Sequence, residues 1–228
     1  MIQLIKGDNK EVLNNLIEQQ YDANLIYADM IYENPDFDWV RQCRLLLNQN
    51  GVFAVQLDDK LVAEMKLFCD EVFGKKNFIN WIIWWNEWGG VAKRKFSQKK
   101  DHILIYSKGK DYKWYPDRIQ IAKATAGTKL DKKGTGLKTP MDVFYDISSF
   151  STLDKERVKV DNHNIQWQKP LKLIERLLLP FTDAGDLVVD PFLGSGTTGV
   201  WCRNNKRNFI GIENDPEVFD LAVKRLNE

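Results

Sequence analysis

Short apolar runs alternate with amphipathic stretches along the 228 residues of the chain. A short apolar run bounded by polar residues is typical of a buried strand, whereas apolar positions that recur every three or four residues indicate a helix. This pattern predicts strands at residues 2–5, 24–28, 51–57, 77–85, 102–107, 187–189 and 208–212. It predicts helices at residues 38–47, 60–73, 171–181, 197–203 and 216–226. Because strands and helices alternate, we expect an α/β fold with a doubly wound, mostly parallel but mixed sheet, covered by helices on both faces.

One segment, from about residue 108 to residue 161, follows neither periodicity and carries Gly127, Gly134 and Gly136 among charged residues. A long connection without clear elements is usually an insertion or a mobile functional loop. We therefore expect one domain over residues 1–228, with an inserted region at about 108–161.

Charge is unevenly distributed, although the formal net charge of the whole chain is only +1. Residues 93–138 hold 14 Lys or Arg and 4 Asp or Glu, whereas the segments before and after are net acidic. This basic segment also carries Phe96, Tyr106, Tyr112, Trp114 and Tyr115. Basic side chains neutralise phosphates and aromatic rings stack on bases, so nucleic-acid binding is one interpretation. The alternative from composition alone is a solvated, lysine-rich flap.

Composition argues against several other classes of protein. The three cysteines, Cys43, Cys69 and Cys202, are scattered, which favours buried thiols in a reducing cytoplasm over a disulfide scaffold or a zinc site. With only His102 and His163, we expect no metal centre. No apolar run is long enough to span a bilayer, and the first residues lack the layout of a secretory signal. We therefore expect no membrane partner.

A glycine-rich turn follows the strand predicted at 187–189. It begins with Asp190, Pro191 and Phe192 and contains the pattern Gly194-x-Gly196-x-x-Gly199. Glycines let the backbone approach a ligand closely, and the start of the next helix offers free N–H donors. Glu213 ends the following strand and can accept hydrogen bonds from ribose hydroxyls, which indicates a nucleoside site.

The same glycine pattern is also a dinucleotide fingerprint, so an oxidoreductase is an alternative. A dinucleotide domain normally continues through several more strands, yet only one further strand, at 208–212, is predicted between the turn and Glu228. The remaining strands must come from the N-terminal half, which predicts a circularly permuted sheet.

Six stretches together resemble one family. They are KGDNKEVLNNL at 6–16, NLIYADMIY at 24–32, GGVAKRKFSQKKDHILIYSK at 89–108, QKPLKLIERLL at 168–178, DPFLGSGTT at 190–198 and GIEND at 211–215. In order and spacing they are similar to the permuted, β-class DNA amino-methyltransferases that use S-adenosylmethionine. Within that class they most resemble the adenine-specific branch that includes type III modification subunits. The resemblance covers nearly the whole chain.

This resemblance implies roles for individual residues. S-adenosylmethionine is the implied cofactor, held by Asp8, Gln168, Lys169, Pro170, Asp190, Pro191, Phe192, Gly194, Ser195, Gly196, Thr197, Thr198, Glu213 and Asn214. Double-stranded DNA is the implied partner, bound through Lys93, Arg94, Lys95, Lys99, Lys100 and, as the best-placed tryptophan, Trp88. For Asp8 a loop-capping role stays open, and for Lys169 that of a surface charge. A homodimer and a companion restriction subunit are further expectations, as is a bacterial or phage protein that meets the nucleoid through DNA.

The catalytic loop departs from the family pattern. Members usually read Asp-Pro-Pro-Tyr or Asp-Pro-Pro-Phe, whereas this chain reads Asp29, Met30, Ile31 and Tyr32. In the implied mechanism Asp29 and the carbonyl of Met30 accept hydrogen bonds from the target amino group, and Tyr32 stacks on the extruded base. The lost prolines remove a restriction on φ and add two N–H groups that need partners if they are buried.

The sequence therefore predicts transfer of a methyl group to an exocyclic amino nitrogen of a flipped base, with adenine N6 as the expected target. Cytosine N4 is one alternative. The other is a catalytically impaired homologue that still binds cofactor or DNA.

Overall fold

A computed structural model describes residues 1–30, 36–86, 90–132, 134–149, 157, 159–160, 163–164 and 168–227. Its strands are β1 (Ile2–Lys6), β2 (Ala23–Asp29), β3 (Leu47–Leu57), β4 (Phe78–Trp85), β5 (Lys100–Ser107), β6 (Ile121–Ala122), β7 (Leu137–Lys138), β8 (Val143–Phe144), β9 (Lys159–Val160), β10 (His163–Asn164), β11 (Leu187–Asp190) and β12 (Asn208–Glu213). Its helices are α1 (Asn9–Glu18), α2 (Trp39–Leu46), α3 (Val62–Phe73), α4 (Leu171–Leu178), α5 (Thr197–Asn204) and α6 (Pro216–Asn227).

The central sheet has eight strands in the order β1-β12-β11-β2-β3-β5-β4-β8. Neighbours from β1 to β3 run parallel, whereas β5 is antiparallel to both β3 and β4. Two strands from the C-terminal half, β11 and β12, lie between β1 and β2 from the N-terminal half. The predicted mixed, doubly wound sheet and its permuted strand order are therefore confirmed.

Two apolar cores cover the two faces of this sheet, because alternate residues of a strand point to opposite faces. On one face Ile26, Phe53 and Leu104 belong to a core with residues of α1, α2 and α3. On the other face Tyr27 and Ile103 belong to a core with residues of α4, α5 and α6. Helices on both faces leave the ends of the parallel strands as the place for a ligand.

Most predicted elements lie within a few residues of the observed ones, but α1 was missed. Its ten residues are held at their start by the Asp8 side chain, which accepts hydrogen bonds from the backbone N–H groups of Lys10 and Glu11. An aspartate followed by a helix is a recognised start signal, and Val12, Leu13 and Leu16 form the buried face.

Part of the predicted inserted region, residues 108–161, has regular structure and contacts the rest of the domain. Its role as an inserted region stays a prediction. Within it β6 pairs with β7, and β8 extends the main sheet by pairing with β4. The indole N–H of Trp84 donates to the carbonyl of Ile147 at 2.7 Å. Arg176 of α4 donates to both carboxylate oxygens of Asp146 at 2.5 and 2.7 Å. Residues 137–147 therefore pack as part of the fold.

All three cysteines are buried and unpaired, as predicted, and burial raises the pKa of the Cys43 thiol well above its usual value. In the part of the chain described here, none of the helices combines the length and apolarity needed to cross a bilayer.

Candidate active site

A cavity of about 720 Å³ opens where β1, β2, β11 and β12 end. Parallel neighbours end at the same edge, so the residues that follow them converge there. Of the predicted site residues, thirteen line this cavity: Asp8, Asp29, Met30, Lys169, Asp190, Pro191, Phe192, Gly194, Ser195, Thr197, Thr198, Glu213 and Asn214. The structure thus brings most of the predicted cofactor residues and the predicted catalytic aspartate together in one cavity.

The glycine-rich turn shapes one wall of the cavity. Gly194 and Gly196 have φ angles of 50° and 76°, a region that favours glycine, and Gly196 is the N-cap of α5. Arg225 of α6 supports the turn from behind, because its guanidinium donates to the Ser195 carbonyl at 2.8 Å and to the Thr197 hydroxyl at 3.0 Å. The turn is therefore held open, with the N-terminus of α5 at the cavity.

Glu213 joins this turn to the end of β12. Its carboxylate accepts a hydrogen bond from the Gly194 N–H at 2.9 Å and from the N–H groups of Asn214 and Asp215 at 3.0 Å each. A carboxylate has about four lone-pair sites, so three backbone bonds leave room for a ligand hydroxyl. Glu213 can therefore both brace the turn and meet a ribose.

Asp190 is a second acidic group at the cavity and is buried. Burial raises the pKa of Asp190 to about 7, and the charges of Asp29 and Glu213 act in the same direction. Hydrogen bonds from the Thr198 side chain and the Phe192 N–H oppose that rise. Asp190 therefore holds the start of the turn by accepting a hydrogen bond from the Phe192 N–H, and its charge changes near neutral pH.

Asp8 reconciles the two roles that the sequence left open. Its side chain caps α1 and also lines the cavity. Beside it, Lys10 forms an ion pair with Asp36 at 2.5 Å, and both of these residues line the cavity as well.

Asp29 is a largely buried carboxyl group of the cavity that is paired with a lysine. It is the last residue of β2, and its side chain is only 16% exposed. Burial raises the pKa of Asp29, whereas the ammonium group of Lys169, 2.5 Å from Oδ2, lowers it. Lys169 is therefore not a surface charge, because it is largely buried and pairs with the predicted catalytic carboxylate. Its predicted contact with the cofactor stays a prediction.

The first lost proline is explained by a backbone hydrogen bond. Met30 is buried, and its N–H donates to the carbonyl of Gln56 at the end of β3, at 2.9 Å. A proline could not make this bond. The Met30 N–H is one of the two donors that need a partner where the family has prolines, and the Gln56 carbonyl is that partner.

Several cavity residues were missed from the sequence. Tyr27 lines the cavity from two positions before Asp29, so strand alternation could have found it. Its hydroxyl donates to the side-chain oxygen of Gln56 at 2.7 Å, and the Gln56 amide donates to Asp101 at 2.7 Å. Trp39 at the start of α2 packs edge-on against Phe192, with ring centroids 4.9 Å apart. No local pattern links Trp39 to the turn.

Other predicted residues lie elsewhere. Gln168, Pro170 and Gly196 are close in sequence to cavity residues but do not line it. Tyr32 and Trp88 lie outside the described residues, so their predicted roles in stacking and base contact stay predictions.

The predicted DNA-contacting lysines divide into two groups. Lys93, Arg94 and Lys95 are exposed in the loop between β4 and β5, next to the fully exposed ring of Phe96. Lys100 instead forms an ion pair with Asp59, which His102 also contacts at 2.5 Å. Lys99 is half-buried, and its backbone carbonyl accepts a hydrogen bond from the Asn86 N–H at 3.0 Å. We call residues 90–99 the basic loop.

Three of the other cations in the basic segment form ion pairs within the fold. Lys113 pairs with Asp183 and Asp186, Arg118 pairs with Asp183, and Lys123 pairs with Asp131. Charge counting alone therefore overstated the basic surface that this segment offers.

A doubly wound sheet with a glycine-rich turn and an acidic strand end at one cavity defines the class of α/β nucleoside-binding proteins. The model of a DNA methylase family, N6_N4_Mtase, matches residues 8–224. The chain therefore belongs to that family, which confirms the family predicted from the sequence.

Two relatives are informative. The chain is 28% identical over 191 residues to the type II methyltransferase M.HpaI of Haemophilus parainfluenzae, which covers 83% of this chain and 58% of M.HpaI. It is 26% identical over 246 residues to the DNA adenine methyltransferase YhdJ of Escherichia coli K12, which covers 98% of this chain and 82% of YhdJ. The chain thus spans less than two thirds of M.HpaI. The narrower resemblance to type III modification subunits stays a prediction.

Solved structures share the fold. M1.HpyAVI is 26% identical, with a TM-score of 0.73 and full coverage of both chains. Its complex with SAM has a TM-score of 0.70 and covers 99% of this chain and all of that one. The cytosine-N4-specific PvuII DNA methyltransferase, 18% identical with a TM-score of 0.72, covers 98% of this chain and 86% of that one, and shows the likeness of fold alone.

Proposed function

We propose that this protein is an S-adenosylmethionine-dependent DNA methyltransferase that modifies an exocyclic amino group of a flipped base. The observation that carries the proposal is the shared cavity: the glycine-rich turn, Glu213 and Asp29 all line it. Family membership and the SAM complex of M1.HpyAVI support the choice of cofactor.

The cavity fits this cofactor chemically. Glu213 keeps an acceptor site for a ribose hydroxyl, and Asp8 offers a second carboxylate just after β1, the strand that pairs with β12. Bound S-adenosylmethionine would supply an electrophilic methyl group on a sulfonium sulfur. Seven carboxyl side chains and two lysines line the cavity, and this excess of acidic groups suits a cationic cofactor.

Asp29 would act on the base. An aromatic amine is a weak nucleophile because its lone pair is delocalised, and a carboxylate that accepts a hydrogen bond from it favours the attacking geometry. Positioning of the two reactants then supplies much of the rate. Among the described residues, only Lys169 reaches the Asp29 carboxylate with a hydrogen bond, and it does so at Oδ2, which leaves Oδ1 for the amino group.

Adenine N6 is the proposed target, because YhdJ is named as an adenine methyltransferase and aligns over 98% of this chain. Cytosine N4 is the second candidate, since the family model groups both types and the PvuII enzyme shares the fold.

The basic loop is the proposed DNA-contacting surface. It connects the ends of β4 and β5 that lie at the same edge of the sheet as Asp29, because Asp29 pairs with Gln56 and Gln56 pairs with Ile103 near the start of β5. Lys93, Arg94 and Lys95 can therefore meet phosphates beside the base that enters the cavity.

The experiment is methyl transfer from labelled S-adenosylmethionine to unmethylated duplex DNA, followed by long-read sequencing that reports the modified base. Labelled N6-methyladenine supports the proposal, and N4-methylcytosine supports the second candidate. Tight cofactor binding without transfer to any DNA would contradict both and favour the catalytically impaired homologue.

A further inference from the structure

The ion pair between Lys169 and Asp29 connects two distant parts of the chain. Lys169 lies two residues before α4, Asp29 ends β2, and the two are 140 residues apart in sequence. Their side chains are 12% and 16% exposed, so both are largely withdrawn from water. Burying a lysine is costly unless it is paired, so the contact with Asp29 stabilises the buried position of the Lys169 ammonium group.

A nearby lysine shows that this arrangement is not dictated by local position. Lys172, three residues further on, has a side chain that is 60% exposed; its ammonium group donates to the Asp146 backbone carbonyl at 3.0 Å and lies 3.9 Å from the Asp146 carboxylate. Lys169 instead turns into the cavity, where it contacts the group that the proposed function assigns to the target base.

The other charged groups around Asp29 oppose its ionisation. Asp101 faces it from β5 and Asp190 from β11, while Tyr27 lies on the same strand and is fully buried. Burial and the charge of Asp101 favour the protonated form of Asp29. Lys169 is the cation that acts against them. A protonated carboxyl is a poorer acceptor than a carboxylate.

We propose that Lys169 is a positioning residue for the reaction, which keeps Asp29 ionised and holds its Oδ2 so that Oδ1 faces the target amino group. This inference rests on the proposed function and assigns Lys169 a role different from the cofactor contact expected from the sequence. Lys169 acts through Asp29 and does not touch the reacting nitrogen.

The test compares three variants of the full chain. Lys169→Met removes the charge at similar length, Lys169→Arg keeps it, and Lys172→Met removes a matched charge from the exposed neighbour. For each, kcat and KM are measured from pH 5.5 to 9, cofactor affinity is measured by calorimetry, and the Asp29 carboxyl is titrated by carbon-13 NMR, with Asp29→Asn as the assignment control.

We expect Lys169→Met to lower kcat by up to about tenfold at pH 7 for each unit by which the pKa of Asp29 rises, because a one-unit rise lowers its ionised fraction by up to tenfold. The loss should be recovered as the pH rises, and the NMR titration of Asp29 should move to higher pH. Affinity for the cofactor should change by less than about threefold. Lys169→Arg should restore the wild-type pH profile, and Lys172→Met should match the wild type.

Two results would overturn the inference. In one, Lys169→Met weakens cofactor binding at every pH and leaves the pH profile and the Asp29 titration unmoved, which makes Lys169 a cofactor contact. In the other, Lys169→Arg is as impaired as Lys169→Met, so charge is not what matters. Failure of the proposed function is distinct, because the wild type would then transfer no methyl group, while the NMR titration would still report whether Lys169 controls Asp29.

Discussion

Two regions of the molecule are built by different means. One is the wall of the cavity formed by the glycine-rich turn and Glu213, here called the cofactor wall, and the other is the basic segment, residues 93–138. In the cofactor wall, hydrogen bonds from backbone groups hold the turn in place. The Gly194 N–H donates to the Glu213 carboxylate, and the Leu193 N–H donates to the Ile212 carbonyl at 2.9 Å. In the basic segment, side-chain charges are the main feature, and some of them, such as those of Lys113 and Arg118, are neutralised in internal ion pairs.

This difference explains why the sequence predicts the shape of the glycine-rich turn but does not predict which lysines of the basic segment face solvent. A glycine-rich turn requires particular backbone angles, so its residue types determine its shape. A lysine can turn to solvent, to a phosphate or to a nearby carboxylate, and its sequence position does not decide among them. The comparison predicts that only the exposed cations of the basic loop contribute strongly to DNA binding.

The largest expected effect is on DNA affinity. Reversing Lys93, Arg94 and Lys95 to Glu should weaken binding about a hundredfold or more at moderate salt and lower the slope of log affinity against log salt by about 2.7, since three phosphate contacts are lost. The matched control reverses Lys110, Lys129 and Lys132, which are exposed in the same basic segment. Equal losses in both triple variants would mean that overall charge, not the basic loop, binds DNA.

Next in size is a pH effect on stability that arises in the cofactor wall. The pKa of Asp190 is about 7 in the fold, above its usual value near 3.9 when unfolded. The protonated form therefore stabilises the fold fully below about pH 4, and this contribution is lost as the pH rises through about 7. Without cofactor, the free energy of unfolding should fall by a few kcal/mol over that window, on the order given by about three pKa units.

Urea unfolding at several pH values measures this, with Asp190→Asn as the comparison. The variant should have a flatter profile, and a remaining slope of the same sign is expected from Asp29, whose pKa burial also raises. An Asp190→Asn profile as steep as that of the wild type would show that Asp190 is not the titrating group.

Cofactor affinity should respond to Glu213 by a smaller amount. Glu213→Ala should weaken S-adenosylmethionine binding by about 1.5–3 kcal/mol, the value of charge-assisted hydrogen bonds. Calorimetry should show almost no effect of Glu217→Ala, an exposed acidic residue that also lines the cavity. Unchanged affinity in Glu213→Ala would remove the ribose assignment.

The smallest expected effect concerns the departure in the catalytic loop. Met30→Pro removes the hydrogen bond to the Gln56 carbonyl and should lower the free energy of unfolding by about 1–3 kcal/mol, without a gain in methyl transfer. Met30→Leu keeps the N–H and should cost less than about 1.5 kcal/mol. A proline variant that transfers methyl groups faster than the natural chain would indicate a decayed loop.

The sequence predicted the order of elements and the cofactor wall well, because periodicity and turn chemistry are local. It predicted β11, the glycine-rich turn and α5 within one residue, and the final strand and helix as closely. It did not predict that Lys169 reaches Asp29, since nothing local links residues 140 positions apart. The short strands β6 to β8 were missed because two-residue strands depend on their partners, not on their own pattern.

The central claim is that the cofactor wall and Asp29 form one catalytic cavity. The most direct measurement is labelled methyl transfer to duplex DNA by the natural chain and by Asp29→Asn, with cofactor affinity measured on both. We predict that the natural chain transfers the label, and that Asp29→Asn loses at least about a hundredfold of the rate, on the scale of other groups that act mainly in the transition state. Its cofactor affinity should stay within about threefold. Transfer by Asp29→Asn at the rate of the natural chain would contradict the claim.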